Sequence, residues 1–87
     1  MTSEKSRFFT IKEAKGKVDR KVVTTIDFSG VSKGTEGKVL EPYEGDYTSK
    51  GDEVRSLPIQ WNLPERQGKP LVDWFTKDEY ERWLKEC

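Results

Sequence analysis

The side chains that most often carry catalysis are scarce in this sequence: it has no histidine and one cysteine, Cys87. Tetrahedral zinc, haem and iron–sulfur sites draw on several His or Cys ligands. The common nucleophilic triads and most proton relays also need an imidazole. No catalytic residue, metal ligand set or cofactor site is therefore expected. Carboxylates cluster at Glu41, Glu44, Asp46, Asp52 and Glu53. Asp46 and Gly51 have the spacing of a calcium loop's first and sixth positions, but Thr48 and Lys50 take the third and fifth. Leu57 stands where the bidentate glutamate is required. Gly34 and Gly37 lack the spacing and the Lys-Ser/Thr ending of a phosphate loop, and Glu36 would set a carboxylate against the phosphate. A solvent-exposed terminal thiol such as Cys87 has nothing to lower its pKa.

What remains is binding chemistry. Tyr43 and Tyr47 flank Glu44-Gly45-Asp46 in a stretch without apolar periodicity, and Arg55 follows. Tyrosines and arginine are the side chains that carry protein interfaces. Arg66, on the Pro64–Pro70 loop, belongs to a second variable surface. The candidate partner-binding set is Tyr43, Glu44, Asp46, Tyr47, Arg55 and Arg66. A groove for proline-rich peptide would use the same residue types, and two tyrosines capping the end of a barrel are the purely structural alternative. A rival site is the basic stretch Lys12, Lys15, Lys17, Arg20 and Lys21, which with Phe8 and Phe9 could bind RNA. Against it, sixteen basic residues balance sixteen acidic ones, so no long-range pull on phosphate is expected. That neutrality is uneven, since residues 1–40 carry a net +4 and residues 41–87 a net −4. A charged edge that resists sheet-to-sheet aggregation is the plainer role for the lysines.

The elements that must position these groups are few. Eighty-seven residues make one domain, and 32% apolar against 37% charged residues leave a lean core. No apolar run approaches a membrane span and no signal-peptide core is evident, so a cytoplasmic monomer is expected. Met1–Arg7 reads as a flexible terminus ahead of a single domain over 8–87. Phe8–Ile11 could open a strand or dock as an arm, and Glu13–Lys21 reads as a loop or hairpin edge because Gly16 weakens a helix. Val22–Phe28 alternates with period two, as does Leu57–Leu63, and both predict half-buried strands. Pro58 and Pro64 suit the ends or a free edge of the second. Gly34 and Gly37 predict a tight turn before a strand from about Lys38. Glu41–Ser56 reads as a long hairpin loop with a mobile tip. Leu71–Phe75 is a short apolar segment before a helix. Thr76 and Glu79 form a capping box there, Phe75 and Tyr80 a hydrophobic staple, and Asp78–Arg82 and Glu81–Lys85 i,i+4 pairs.

Short strands, turn glycines and a closing helix predict a mainly β fold: a small, partly open SH3-like barrel with one short C-terminal α-helix. The residues Val31-x-Lys33-Gly34-Thr35-Glu36-Gly37-Lys38-Val39, a polar loop containing Gly45, and Leu57-Pro58-Ile59-Gln60-Trp61 resemble the SH3-like barrels of electron-transport accessory proteins. That family includes the variable chain of ferredoxin–thioredoxin reductase. The resemblance covers about a third of the chain, and the helix after Phe75 is longer than the turn expected there. It implies a chain without cofactor that docks a redox or photosynthetic partner. The expectation is a non-enzymatic protein-interaction module, with RNA binding along Lys12–Lys21 as the alternative.

Overall fold

A computed structural model describes residues 7–28, 30–63 and 71–87. The expected flexible terminus up to residue 6, and the Pro64–Pro70 loop with Arg66, lie outside the described residues. The chain runs β1 (Phe9–Thr10), α1 (Ile11–Lys17), β2 (Lys21–Thr24), β3 (Glu36–Val39), a 3₁₀ turn (Glu44–Asp46) and β4 (Glu53–Val54). It continues with β5 (Ser56–Trp61), β6 (Leu71–Thr76), α2 (Lys77–Trp83) and β7 (Leu84–Glu86). Five strands form one antiparallel sheet in the order β6-β5-β3-β2-β7, and β1 pairs with β4 in a two-stranded sheet. The fold is mainly β, two sheets that do not close into a barrel among the described residues, with a C-terminal helix. The meander β2-β3-β5-β6 ends in α2, which returns β7 to the far edge beside β2.

The inward parity of the sheet makes the core. Val22, Val39, Leu57, Ile59 and Phe75 are buried, and Phe9, Val54 and Ala14 close it from the small sheet and α1. Phe28, Trp61 and Phe75 meet edge to face with ring centroids 5.5–6.0 Å apart, a geometry that adds to their area burial. Gly37 is the close approach that lets Trp61 lie across the sheet. A Cβ there would stand 2.7 Å from both Ile59 Cγ2 and Trp61 Cε3. Gly37 is therefore a strand residue facing Trp61, not part of the turn; the turn glycine is Gly34, with φ +90°.

Three elements depart from expectation for identifiable reasons. Residues 13–21 are not a loop through their length, because α1 occupies Ile11–Lys17. Thr10 accepts from the Glu13 amide and Glu13 from the Thr10 amide, a capping box, and Ala14 is buried against the core. Those gains offset the ~1 kcal/mol that the exposed Gly16 costs a helix. The strand from Val22 stops at Thr24, short of Phe28. The buried Thr24 hydroxyl donates to the Ile26 carbonyl and accepts from the Ile26 amide, which turns the chain out of the ladder. Residues 41–56 join the antiparallel β3 and β5 as a long hairpin connection, but one that contains the 3₁₀ turn and β4. Pro58 is not on a free edge: β5 lies between β3 and β6. The proline sits just past the end of β3, where its carbonyl accepts from the Leu40 amide at 2.9 Å.

The C-terminal helix follows its sequence signals closely. Thr76 and Glu79 form the capping box and Asp78 pairs with Arg82 at 3.6 Å. The helix ends at Trp83, however, so Lys85 lies on β7 opposite Val23 and the expected Glu81–Lys85 helical pair has no helix to stand on. The Thr25 amide and hydroxyl both donate to the Trp83 carbonyl, anchoring that end to the end of β2.

Candidate functional site

The acidic segment after β3 folds around Asp46. Asp46 lies in the 3₁₀ turn and is only 9% exposed. Its Oδ2 accepts from the Tyr43 amide at 2.8 Å and from Trp74 Nε1 at 3.2 Å, and its Oδ1 accepts from Ser56 Oγ at 3.3 Å. A carboxylate taking three donors from three elements is an organising group. Asp46 is thus not the solvated contact residue that its sequence neighbourhood suggests.

Asp46 ties the Trp74 indole and the Tyr43 backbone together at the surface. Tyr43 and Trp74, 48% and 45% exposed, are the exposed large hydrophobics of the described residues. They touch edge to face with centroids 5.3 Å apart. Trp74 is an outward residue of β6 and is paired across the sheet with Pro58, which is fully buried. Glu44 is exposed at the start of the 3₁₀ turn. Arg55 is exposed too; its amide donates to the Asp46 carbonyl and its guanidinium to the Tyr47 carbonyl at 3.1 Å. Tyr47 departs from expectation: it is half-buried against the core and bridges to Val54. Of the candidate set, Tyr43, Glu44 and Arg55 are surface groups, Asp46 and Tyr47 are structural, and Arg66 lies outside the described residues. Trp74 is the residue sequence reasoning missed. Period-two alternation through Leu71–Thr76 would have set Trp74 opposite in parity to Phe75, which is the signal that could have found it.

A second carboxylate works in the opposite sense. Glu86 on β7 accepts from Tyr80 Oη at 2.8 Å, pairs with Lys17 Nζ at 2.8 Å and has Arg20 Nη1 at 3.7 Å. Lys17 also stands 4.8 Å above the Tyr80 ring, whose edge-to-face neighbour is Phe9 at 5.8 Å. The Lys17 hydrogen bond holds the Glu86 carboxyl below its ordinary pKa, aided by the Tyr80 hydroxyl and opposed by burial. Burial, together with the bond to Glu86, pushes the Tyr80 hydroxyl well above the usual phenol range. Glu13, lowered first by its Thr10 amide bond, meets Lys77 at 3.3 Å and adds a second tie between the two helices.

The basic stretch is therefore divided. Lys17 and Arg20 are engaged by Glu86, while Lys12, Lys15 and Lys21 are exposed. An open groove of about 590 Å³ crosses the outer face between β2, β3 and β5. Lys21 and Lys38 face each other there across the strands, with Asp19 3.5 Å from Lys38 and Glu36 alongside, so its charge is mixed. Among the described residues no three His, Cys, Asp or Glu side chains converge on a metal-sized site, and no helix is long and apolar enough to cross a membrane. Comparison with known proteins returns no matching family model, no matching curated sequence and no matching solved structure.

Proposed function

We propose that this chain is a non-enzymatic protein-interaction module that uses the Tyr43–Trp74 face, with Glu44 and Arg55 on its rim. The observation that carries the reading is the edge-to-face pair of exposed rings, with the Trp74 indole and the Tyr43 backbone amide both bonded to one buried carboxylate. Exposed aromatics held rigid in the free protein lose little conformational entropy on docking, and such residues dominate binding energy. The resemblance of the Gly34–Val39 and Leu57–Trp61 segments to electron-transport accessory barrels supplies the setting: a monomeric cytoplasmic accessory subunit that docks a redox or photosynthetic partner. RNA binding along Lys12–Lys21 is supported less, because two of its five cations already neutralise Glu86.

Affinity purification from the native cell tests this with three forms of the chain. A specific partner should be retained by the native protein and by Lys12→Ala/Lys15→Ala, and lost by Tyr43→Ala/Trp74→Ala. Loss with the lysine pair and retention with the aromatic pair would overturn the reading in favour of the basic edge.

A further inference from the structure

The five-stranded sheet ends at β6 on one side and β7 on the other, and the two edges differ. β7 is three residues long and carries Lys85 and Glu86, while β6 is six residues long and reads Leu71-Val72-Asp73-Trp74-Phe75-Thr76. Short charged edges resist further pairing, and long apolar ones invite it. The ladder determines which β6 groups are free. The Pro58 carbonyl accepts from the Leu40 amide and the Asn62 amide donates to the Glu36 carbonyl, so the even-numbered residues of β5 point toward β3. Leu57, Ile59 and Trp61 then bond β6 through Phe75, Asp73 and Leu71. The amides and carbonyls of Val72 and Trp74 point away from the sheet and have no partner among the described residues. The Thr76 amide, next along the same edge, is taken by Glu79 at 3.0 Å.

We propose that β6 is a strand-addition edge: an extended segment of another protein pairs antiparallel with Val72 and Trp74, and a basic residue on it faces Asp73. This rests on the Tyr43–Trp74 face being the protein-binding face, and adds the mode of binding and the partner's chemistry. The occupant follows from the register. A second copy using both Val72 and Trp74 would set Val72 against Trp74 of its partner and centre the pairing on Asp73. Two carboxylates would then meet across the closer, non-hydrogen-bonded type of pair, where like charges are destabilising. The register centred on Trp74 would need the Thr76 amide that Glu79 holds. Self-pairing is opposed both ways. Asp73 also has no cationic partner among the described residues. Trp61 Nε1 donates to its Oδ2 at 2.9 Å, leaving Oδ1 for an incoming donor. The complementary segment reads apolar–basic–apolar, with its apolar residues beside Val72 and Trp74 on the outer face.

The test is a titration of the full chain with nine-residue peptides, followed by backbone amide NMR and hydrogen exchange. The peptides alternate Val with Lys or with Asp, and a third is the Lys peptide N-methylated at the residue facing Val72. The Lys peptide should shift the Val72 and Trp74 amides downfield and slow their exchange. The Asp and N-methyl peptides should bind at least about tenfold more weakly, the effect of losing one charge-assisted or backbone hydrogen bond. Val72→Pro should abolish binding while leaving the other amide signals in place. Asp73→Asn, which keeps an acceptor for Trp61, should convert the monomer into a concentration-dependent dimer by sedimentation velocity. Binding that shifts the Trp74 indole but not the Val72 and Trp74 amides would overturn strand addition and keep the aromatic face. Equal affinity for the Asp and Lys peptides would overturn the charge rule, and no binding by any peptide would overturn the inference. Dimerisation of the native chain through β6 would replace the foreign segment with a second copy.

Discussion

Tyr43 and Tyr80 are built from similar parts and end in opposite states. Each meets a second ring near the perpendicular, Tyr43 with Trp74 and Tyr80 with Phe9, and each lies beside a carboxylate. At Tyr80 the carboxylate of Glu86 is partly exposed; it pairs with Lys17, which stands over the ring, and has Arg20 beside it, and the buried tyrosine lies between α1, α2 and β7. At Tyr43 the carboxylate of Asp46 is inside, where it takes Trp74 Nε1 and the Tyr43 amide and leaves the rings facing solvent. A carboxylate beneath the rings presents them; the one beside Tyr80 brings a lysine over its face. The first arrangement leaves a surface available for a partner and the second consumes one.

The largest expected effect lies at the buried tyrosine. Tyr80→Ala should remove about 3 kcal/mol of unfolding free energy in urea titration, the cost of truncating a buried aromatic. Tyr43→Ala should stay within about 0.5 kcal/mol, as exposed side chains do. Equal losses would break the contrast. Next comes Asp46→Ala, which strands the Trp74 indole and the Tyr43 amide and should cost about 1–3 kcal/mol, together with loss of partner binding. Asp46→Asn keeps acceptor capacity and should lose less, by the same chemical denaturation.

Acid should open the buried end. The folded Glu86 carboxyl holds its proton more weakly than the unfolded one, so its contribution is complete above the ordinary glutamate range. That contribution is lost as pH falls through the lowered value. Thermal melting of the native chain should therefore fall faster below that range than melting of Glu86→Gln, and parallel curves would show the Lys17–Glu86–Tyr80 group to be ornamental. The smallest effect sharpens the role of α1, which carries Lys17 into that group. Thr10→Ala should cost about 1 kcal/mol through the lost cap, and adding Lys17→Ala should cost less in that background than alone, because both act through the docking of one helix.

Much of the scaffold was legible. Alternation through Leu57–Leu63 and the Thr76–Glu79 capping box are periodic or local signals; the strand forms over Ser56–Trp61, stopping short of Leu63, and the helix forms where its box lies. The Thr10–Glu13 box is the same motif, yet Gly16 and the surrounding charges obscured it, because helix propensity is a weak term beside a cap and a buried alanine. The site was legible in part. Tyr43, Glu44 and Arg55 are surface residues as expected, but the roles of Asp46 and Trp74 rest on a contact between residues 28 positions apart. No local spacing encodes that contact.

By itself the sequence determined the class of object: one small β-rich domain, with no histidine and a single thiol. It did so because composition limits chemistry and period-two patterning selects strands. Only the tertiary structure decided which carboxylate points inward, which tyrosine is covered and which strand edge has no partner among the described residues. Those outcomes depend on burial and on pairing between distant segments. A charged or aromatic residue carries no mark of either until the sheet has set its neighbours.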